Sequence, residues 1–327
     1  MLTIWYHRDF DGIASAAILA DVLRAKHNRT DVRWEGVNHD RRAEWFGWGN
    51  QGEEFAVVDF FFHPRAAYWF DHHPTTFVSE DYRKLYQPSE RWKFDPASPS
   101  CPPIIVQHAV EHWDYKIPQR FVELVEWSNV IDSAKFKSAE EALYGDKAAL
   151  RIMRALMVAP RPDWSDEIVR KMLDTDLSTI AADPEIEKRY QRACRNRDSA
   201  IDQFEDTILE NSGGVLLYDA VSDKIRRERF APFYLYSGIY YAVGLVPTRS
   251  GLHITAAENP WNPPPGDMNI GTLLEKYGGG GHKAVGGANP PNYSEARQSA
   301  KEIADALRAS LRTAMTAAKA NAKKPVG

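Results

Sequence analysis

The chain holds little sulfur chemistry: of its 327 residues only Cys101 and Cys194 are cysteines, and they form no CxxC pair. A disulfide framework and a zinc-finger site are therefore not expected, and a reducing, cytoplasmic setting is. No stretch approaches the roughly 18 continuous apolar residues that a membrane span needs. The first residues lack the basic and apolar regions of a secretory signal, so none is expected. Excess positive charge is also missing: 41 Lys and Arg face 45 Asp and Glu, a formal net charge of −4. That excludes coating of duplex nucleic acid by bulk charge but leaves room for a small nucleotide at a local site. There is no Walker A loop, no GxGxxG after the first strand and no internal repeat.

What is present is alternation. Leu2 to Tyr6 reads as a strand, and Ile13 to Leu23 follows with helical spacing after Asp11-Gly12. Further strands are predicted at Val32 to Val37, Phe55 to Val58 and Ala67 to Phe70. Near-continuous apolar strands joined through helices predict an α/β fold whose N-terminal sheet is largely parallel, with helices on both faces. Residues 79–103 read as a Pro- and Ser-rich loop. From Ile104 the pattern turns helical, with starts at Pro118, at Ser138 in a capping-box pattern, and at Asp183-Pro184, the last running to about Leu209. In the second half, strands are predicted at Val215 to Tyr218, Tyr240 to Val246 and His253 to Ala257. A short helix at Asn269 to Tyr277 and a final one at Ser294 to Thr313 complete a smaller α/β domain. Tyr234, Tyr236, Tyr240 and Tyr241 read as alternating strand residues. The expected division is 1–184, a helical linker 185–213, 214–316, and a disordered tail 317–327.

Chemistry-bearing residues sit just past strand ends, where open α/β sheets bind ligands. His7, Asp9 and Asp11, spaced two apart, would converge in extended backbone, and a mixed imidazole and carboxylate set suits a divalent metal. The competing reading is loop acids before a helix N-terminus. Asp59 ends a buried-type strand and must be capped, paired or metal-bound, because a lone buried charge is costly. Asp71-His72-His73 follows another strand; one ring can bind metal while the other faces a substrate. Asp132 alone reads as a helix-end acid. Gly278 to Gly281, followed by His282 and Lys283, reads as a loop whose backbone can approach a phosphate closely, or as a helix C-cap. Lys224, Arg226, Arg227, Arg229, Arg249 and Asn259 are weaker candidates for substrate contact. His63, His108 and His112 read as loop or packing residues.

His7-Arg8-Asp9-Phe10-Asp11-Gly12, Val58-Asp59, Asp71-His72-His73 and Ile131-Asp132-Ser133, in this order, resemble the motif series of the DHH phosphoesterase superfamily. Gly278 to Lys283 with Gly286-Gly287 is similar to the signature of the DHH-associated C-terminal domain. One departure is at His7, which many members place three residues before the Asp-x-Asp pair.

The resemblance implies two divalent metal ions, Mn2+ foremost with Mg2+ or Co2+ as alternatives. One would be held by His7, Asp9 and Asp59, the other by Asp11, Asp59, His72 and Asp132. His73 would face the scissile phosphate with Asp71 behind it. Gly279, Gly280, Gly281, His282, Lys283 and Arg249 would contact substrate, with the site in the cleft between the domains. The implied activity is hydrolysis of phosphodiester or phosphomonoester bonds in short oligonucleotides or cyclic dinucleotides, by in-line attack of a metal-bridging hydroxide. The nanoRNases are one such group. A pyrophosphatase or exopolyphosphatase, and a non-catalytic nucleotide-binding module, are the alternatives. No membrane partner is expected, and a homodimer is left open.

Overall fold

A computed structural model describes residues 1–38, 44–47, 52–158, 163–222, 225, 228–248 and 251–322. Arg249, Lys224, Arg226 and Arg227 lie outside the described residues. The chain divides into two units: Met1–Phe136 with Gly145–Ala193, and Lys137–Tyr144 with the chain from Cys194 onward.

In the first unit the strands are β1 (Leu2–His7), β2 (Val32–Val37), β3 (Glu54–Val58), β4 (Tyr68–Asp71) and β5 (Trp92–Phe94). They form one sheet in the order β2-β1-β3-β4-β5, parallel throughout. The helices are α1 (Phe10–His27), α2 (Glu80–Leu85), α3 (Pro102–Trp113) and α4 (Gln119–Asp132); after α5 (Ala139–Tyr144) in the other unit come α6 (Ala148–Leu156), α7 (Trp164–Asp174) and α8 (Leu177–Ala181).

Strand alternation sorts the side chains onto two faces. Leu2, Ile4, Tyr6, Ala56, Val58 and Phe70 pack with α1, α3, α4, α7 and α8. Helix α1 is buried on all sides from Phe10 to Leu23, as its small and aliphatic residues allow. Its one buried acid in the middle, Asp21, is met by Arg24, Arg120 and the Tyr115 hydroxyl at 2.6–2.8 Å. On the opposite face Trp5, Phe55, Val57 and Trp69 lie under Trp45 and Phe60 to Phe62, with Tyr82 of α2 at the edge.

The segment 79–103 is not the continuous loop expected: it contains α2 and β5. A three-residue strand is too short to show a period in sequence. The capping pattern at Ser138 is formed, since Ser138 Oγ accepts the Glu141 N–H at 3.1 Å and the Glu141 carboxylate accepts the Lys137 N–H at 2.6 Å.

Helix α9 (Pro184–Asp202) stops earlier than Leu209 and carries the chain from one unit into the next. The second unit holds β6 (Ile208–Ser212), β7 (Val215–Asp219), α10 (Ala231–Leu235), β8 (Tyr241–Thr248), β9 (Gly251–Glu258), α11 (Ile270–Glu275), β10 (Gly280–Gly281), β11 (Val285–Ala288) and α12 (Tyr293–Ala322). Its sheet runs β10-β11-β9-β8-β7-β6 and is antiparallel except for β7 beside β8. Leu273, Leu274, Ile303 and Leu307 bury one face of it. Helix α12 continues through Ala322, past the point where the tail was expected to begin. The tyrosines are a correction too. Tyr234 lies on α10, Tyr236 follows it, and only Tyr241 is a strand residue, buried at the start of β8. Pro232 at the start of α10 favours that helical turn over a strand.

A candidate two-metal centre

The order β2-β1-β3 makes the gap between β1 and β3 the point where the chain switches direction across the sheet. That is where open α/β sheets place ligands, past the carboxyl ends of the strands. His7 ends β1, Asp59 follows β3, Asp71 ends β4 and Asp132 ends α4.

His7, Asp9 and Asp11 do not converge as extended residues. Asp9 is the N-cap of α1, its carboxylate accepting the Gly12 N–H at 2.9 Å, and Asp11 already lies in the first helical turn. The helix thereby splits the three. His7 Nδ1 lies 2.8 Å from Asp9 and 3.9 Å from Asp59. Asp11 is turned instead to His72, whose Nε2 lies 3.6 Å from it. Gly12 permits this bend: a Cβ there would sit 2.2 Å from the His7 carbonyl oxygen.

Asp59 has φ +54°, a left-handed conformation that costs a non-glycine residue and that Asp tolerates better than most. Its N–H donates to the Phe70 carbonyl at 2.9 Å, which fixes the turn. The carboxylate is 1% exposed, and neither oxygen has a hydrogen-bond partner. Burial, then the charges of Asp9, Asp71 and Asp132, hold it well above the usual carboxylate range. Asp11 is raised likewise by burial and by Asp59 and Asp132. One of its oxygens accepts the Cys101 N–H at 2.9 Å, at the start of α3, and the other has no partner.

His72 Nδ1 lies 3.2 Å from the Ser98 carbonyl, so this nitrogen carries the proton and donates. Nε2 is then the lone-pair nitrogen, and it lies 3.4–3.6 Å from oxygens of Asp11, Asp59 and Asp132. An imidazole oriented by a backbone carbonyl, with its other nitrogen facing three carboxylates, is the arrangement of a metal-binding histidine.

His73 differs. Its Nδ1 is 2.8 Å from Asp71 Oδ1, which also accepts the backbone N–H groups of His72 and His73 at 2.7 and 3.2 Å. Burial would lower the His73 pKa, but the bond to Asp71 outweighs it and the net direction is up. At His7 burial again opposes, and Asp9 raises the value overall; burial of Asp9 is in turn outweighed by His7, which holds that carboxyl low.

Three overlapping sets of ligand atoms, each within 4.8 Å of one another, result: His7, Asp9 and Asp59; Asp11, His72 and Asp132; and Asp59 with Asp71, His72 and His73. Both oxygens of Asp59, one oxygen of Asp11 and the Nε2 of His72 are buried with no hydrogen-bond partner among the described residues. Such atoms are costly without a counter-charge, and a pair of divalent cations fits the donor set.

Sequence reasoning missed Ser98, Cys101 and the Ser100 hydroxyl bonded to Asn129 at 2.7 Å, which tie the 98–101 segment to this rim. The Pro102-Pro103 pair after Cys101 was the available signal, because Pro favours the first helical position.

In the second unit the glycine run is not the loop expected. Gly278 caps α11, with Gly279 N–H donating to Leu274 O at 3.0 Å, and Gly280–Gly281 form β10 beside Gly287 and Gly286 of β11. The glycines serve close backbone packing: a Cβ at Gly271 would lie 2.5 Å from the Gly281 carbonyl oxygen. His282 and Lys283 sit exposed at the hairpin turn, where Lys283 pairs with Asp267. Asn259 is a structural tie, its side chain bonding Ser237 O, Ile239 O and the Trp261 N–H at 2.9–3.2 Å. His63 is buried between Phe55 and Trp45, and His108 packs on Phe70.

No family model and no curated protein matches the sequence. Solved structures do. The pGpG-specific phosphodiesterase PggH from Vibrio cholerae superposes with a TM-score of 0.69 at 17% identity, over 95% of this chain and 100% of that one. The DHH domain of a member of a ribosomal protein family gives 0.56 at 14%, over 92% and 85%. An exonuclease RecJ bound to manganese gives 0.55 at 14%, over 94% and 90%. At these identities the likeness establishes a shared fold.

Proposed function

We propose that this chain, built on the DHH phosphoesterase fold, is a metal-dependent hydrolase of phosphate esters in short oligonucleotides or small nucleotides, including cyclic dinucleotides. The observation that carries the reading is the set of buried, unpartnered ligand atoms at the switch point of the sheet: both Asp59 oxygens, one Asp11 oxygen and His72 Nε2. Buried carboxylates this close together are costly without a counter-charge, which divalent cations would supply.

His7, Asp9 and Asp59 would hold one divalent ion, and Asp11, Asp59, His72 and Asp132 the other, with Asp59 common to both. Imidazole mixed with carboxylate favours Mn2+ over the harder Mg2+. Such a pair supplies charge neutralisation of the phosphoryl oxygens and a lowered pKa for an attacking water.

The protein's own part is positioning and proton placement. The Asp71 bond keeps the proton on His73 Nδ1 in the neutral ring and favours the doubly protonated form, since the pKa is raised. His73 Nε2–H is thus available to a phosphoryl or leaving-group oxygen. Asp71 holds that ring and the turn that carries it. The exposed His282 and Lys283, with the Gly279 to Gly281 backbone, are the proposed recognition residues of the second unit.

The test is metal-free protein resupplied with Mn2+ and offered di- to pentanucleotides, cyclic di-AMP, 3′-phosphoadenosine 5′-phosphate and pyrophosphate. Turnover of a nucleotide ester that His73→Ala loses supports the reading. Turnover of none, or of pyrophosphate alone, refutes it.

A further inference from the structure

The segment between β5 and α3 crosses the metal-ligand rim and is held there at several points. The Asp95 N–H donates to the Asp71 carbonyl at 3.1 Å, so the crossing starts beside the Asp71-His72-His73 turn. The Ser98 N–H returns to the Asp95 carbonyl at 3.2 Å, and Ser98 Oγ donates to the Ser100 carbonyl at 2.8 Å. Pro96 and Pro99 lie within residues 95–101, and Pro102-Pro103 follow. Each fixes its own φ and has no N–H to satisfy. Ser100 and Cys101 are fully buried. Residues 95–101 thus form a stiff strap over the rim.

One anchor of the strap reaches α4. Ser100 Oγ donates to Asn129 Oδ1 at 2.7 Å. Asn129 and Asp132 are three residues apart on that helix and lie on one face. The Asn129 carbonyl also accepts the Ser133 hydroxyl at 2.5 Å, which closes the last turn. Three of the four proposed ligands of one ion therefore depend on the strap. His72 Nδ1 meets the Ser98 carbonyl at 3.2 Å, and Asp11 accepts the Cys101 N–H at 2.9 Å. Asp132 ends the helix that the Ser100–Asn129 bond ties down. The ligands peculiar to the other ion are braced elsewhere: His7 pairs with Asp9, and Asp9 caps α1.

We infer that Asn129 is a positioning residue of the metal centre. Through Ser100 it sets the geometry of the ion site formed by Asp11, His72 and Asp132, and it leaves the site of His7 and Asp9 unaffected. It acts through one carbonyl, one N–H and one helix end. Removing its amide leaves the Ser100 hydroxyl buried without a partner, a cost that the strap relieves by shifting. That shift carries the Ser98 carbonyl and the Cys101 N–H off His72 and Asp11 together. The inference rests on the two-ion reading of the rim and adds an inequality to it: only one of the two ions depends on this bond.

The experiment uses the full chain, stripped of metal and titrated with Mn2+ alone. Metal per chain is read by elemental analysis after gel filtration, and each affinity by calorimetry. The unaltered protein is expected to hold two ions. Asn129→Ala preserves α4, because Ala favours a helix. It should hold one ion as before and the other with an affinity lower by roughly tenfold to hundredfold, as when an outer partner of a metal ligand is lost. Ser100→Ala should do the same, and the double variant no more than either, because both remove one bond. In the metal-free proteins, nitrogen NMR of His72 should show the Nδ1–H form giving way to a mixture of tautomers in Asn129→Ala. A bond that served stability alone would lower the melting temperature and leave the affinities and the tautomer unchanged. Unchanged affinities, equal loss of both ions, or additive effects in the double variant overturn the inference. An unaltered protein that holds fewer than two ions defeats the two-ion reading itself.

Discussion

His72 donates its Nδ1–H to the carbonyl of Ser98 at 3.2 Å, and this one bond decides which ring nitrogen faces the carboxylates. Ser98 belongs to a loop 26 residues further along the chain. Its carbonyl accepts the Nδ1–H, and Nε2 is left facing Asp11, Asp59 and Asp132 at 3.4–3.6 Å.

Asp59 is the acid common to both proposed ion sites. Asp59→Ala should therefore lose both metals together, whereas Asp9→Ala should lose one in preference. Metal content after gel filtration, measured by elemental analysis, checks this. A near-normal metal-to-protein ratio in Asp59→Ala would contradict the shared role.

The metal-free protein should be less stable as pH rises. Asp11 and Asp59 have folded-state pKa values above their unfolded ones, by burial and mutual repulsion, so the folded state retains protons that the unfolded chain has released. His7 and His73 are also raised, and their contribution is present below the unfolded histidine value and lost as pH climbs through the folded one. All four act in one direction across about pH 5 to 8. Added Mn2+ should reverse the trend, because it binds the deprotonated ligands and releases their protons. Thermal melting against pH, with and without Mn2+, reads both slopes.

Removing the Asp71 charge should lower the His73 pKa. In metal-free Asp71→Asn the bond that outweighs burial is weakened, so the ring should titrate at lower pH than in the parent protein. Histidine ring resonances followed by NMR test this, and an unchanged His73 titration would remove the proposed orienting role.

Gly12→Ala places a methyl 2.2 Å from the His7 carbonyl oxygen. The atoms it would meet are all His7 backbone, which cannot swing aside as a side chain can, so a loss of about 1–3 kcal/mol in stability is expected. Metal affinity should fall with it, because the bend that separates Asp9 from Asp11 is displaced. Denaturant unfolding and metal titration of this variant give the two values.

The local pattern carried the first half of the fold. Apolar strands at Leu2, Val32, Phe55 and Ala67 are legible, and three of them end on or just before an acid or imidazole, His7, Asp59 and Asp71, because strand ends are where a parallel sheet exposes polar groups. Short motifs likewise exposed His7, Asp59, Asp71, His72 and His73 as chemistry-bearing. Periodicity could not show β5 or β10, which are only three and two residues long. Nor could it show that the glycine run is an edge strand, since that depends on how closely Gly271, Gly281 and Gly286 let distant backbones approach.

The sequence by itself thus determined which residues are available for metal chemistry and on which side of a parallel sheet they emerge. Tertiary structure alone decided how they are grouped. Asp11 leaves its neighbours His7 and Asp9 because α1 begins between them, and it joins His72 and Asp132 because β3 and β4 stack beside β1 in that order. Ser98 and Cys101 acquire their places for the same reason. Their partners lie far along the chain, and only strand order and helix packing bring them within hydrogen-bonding or van der Waals reach.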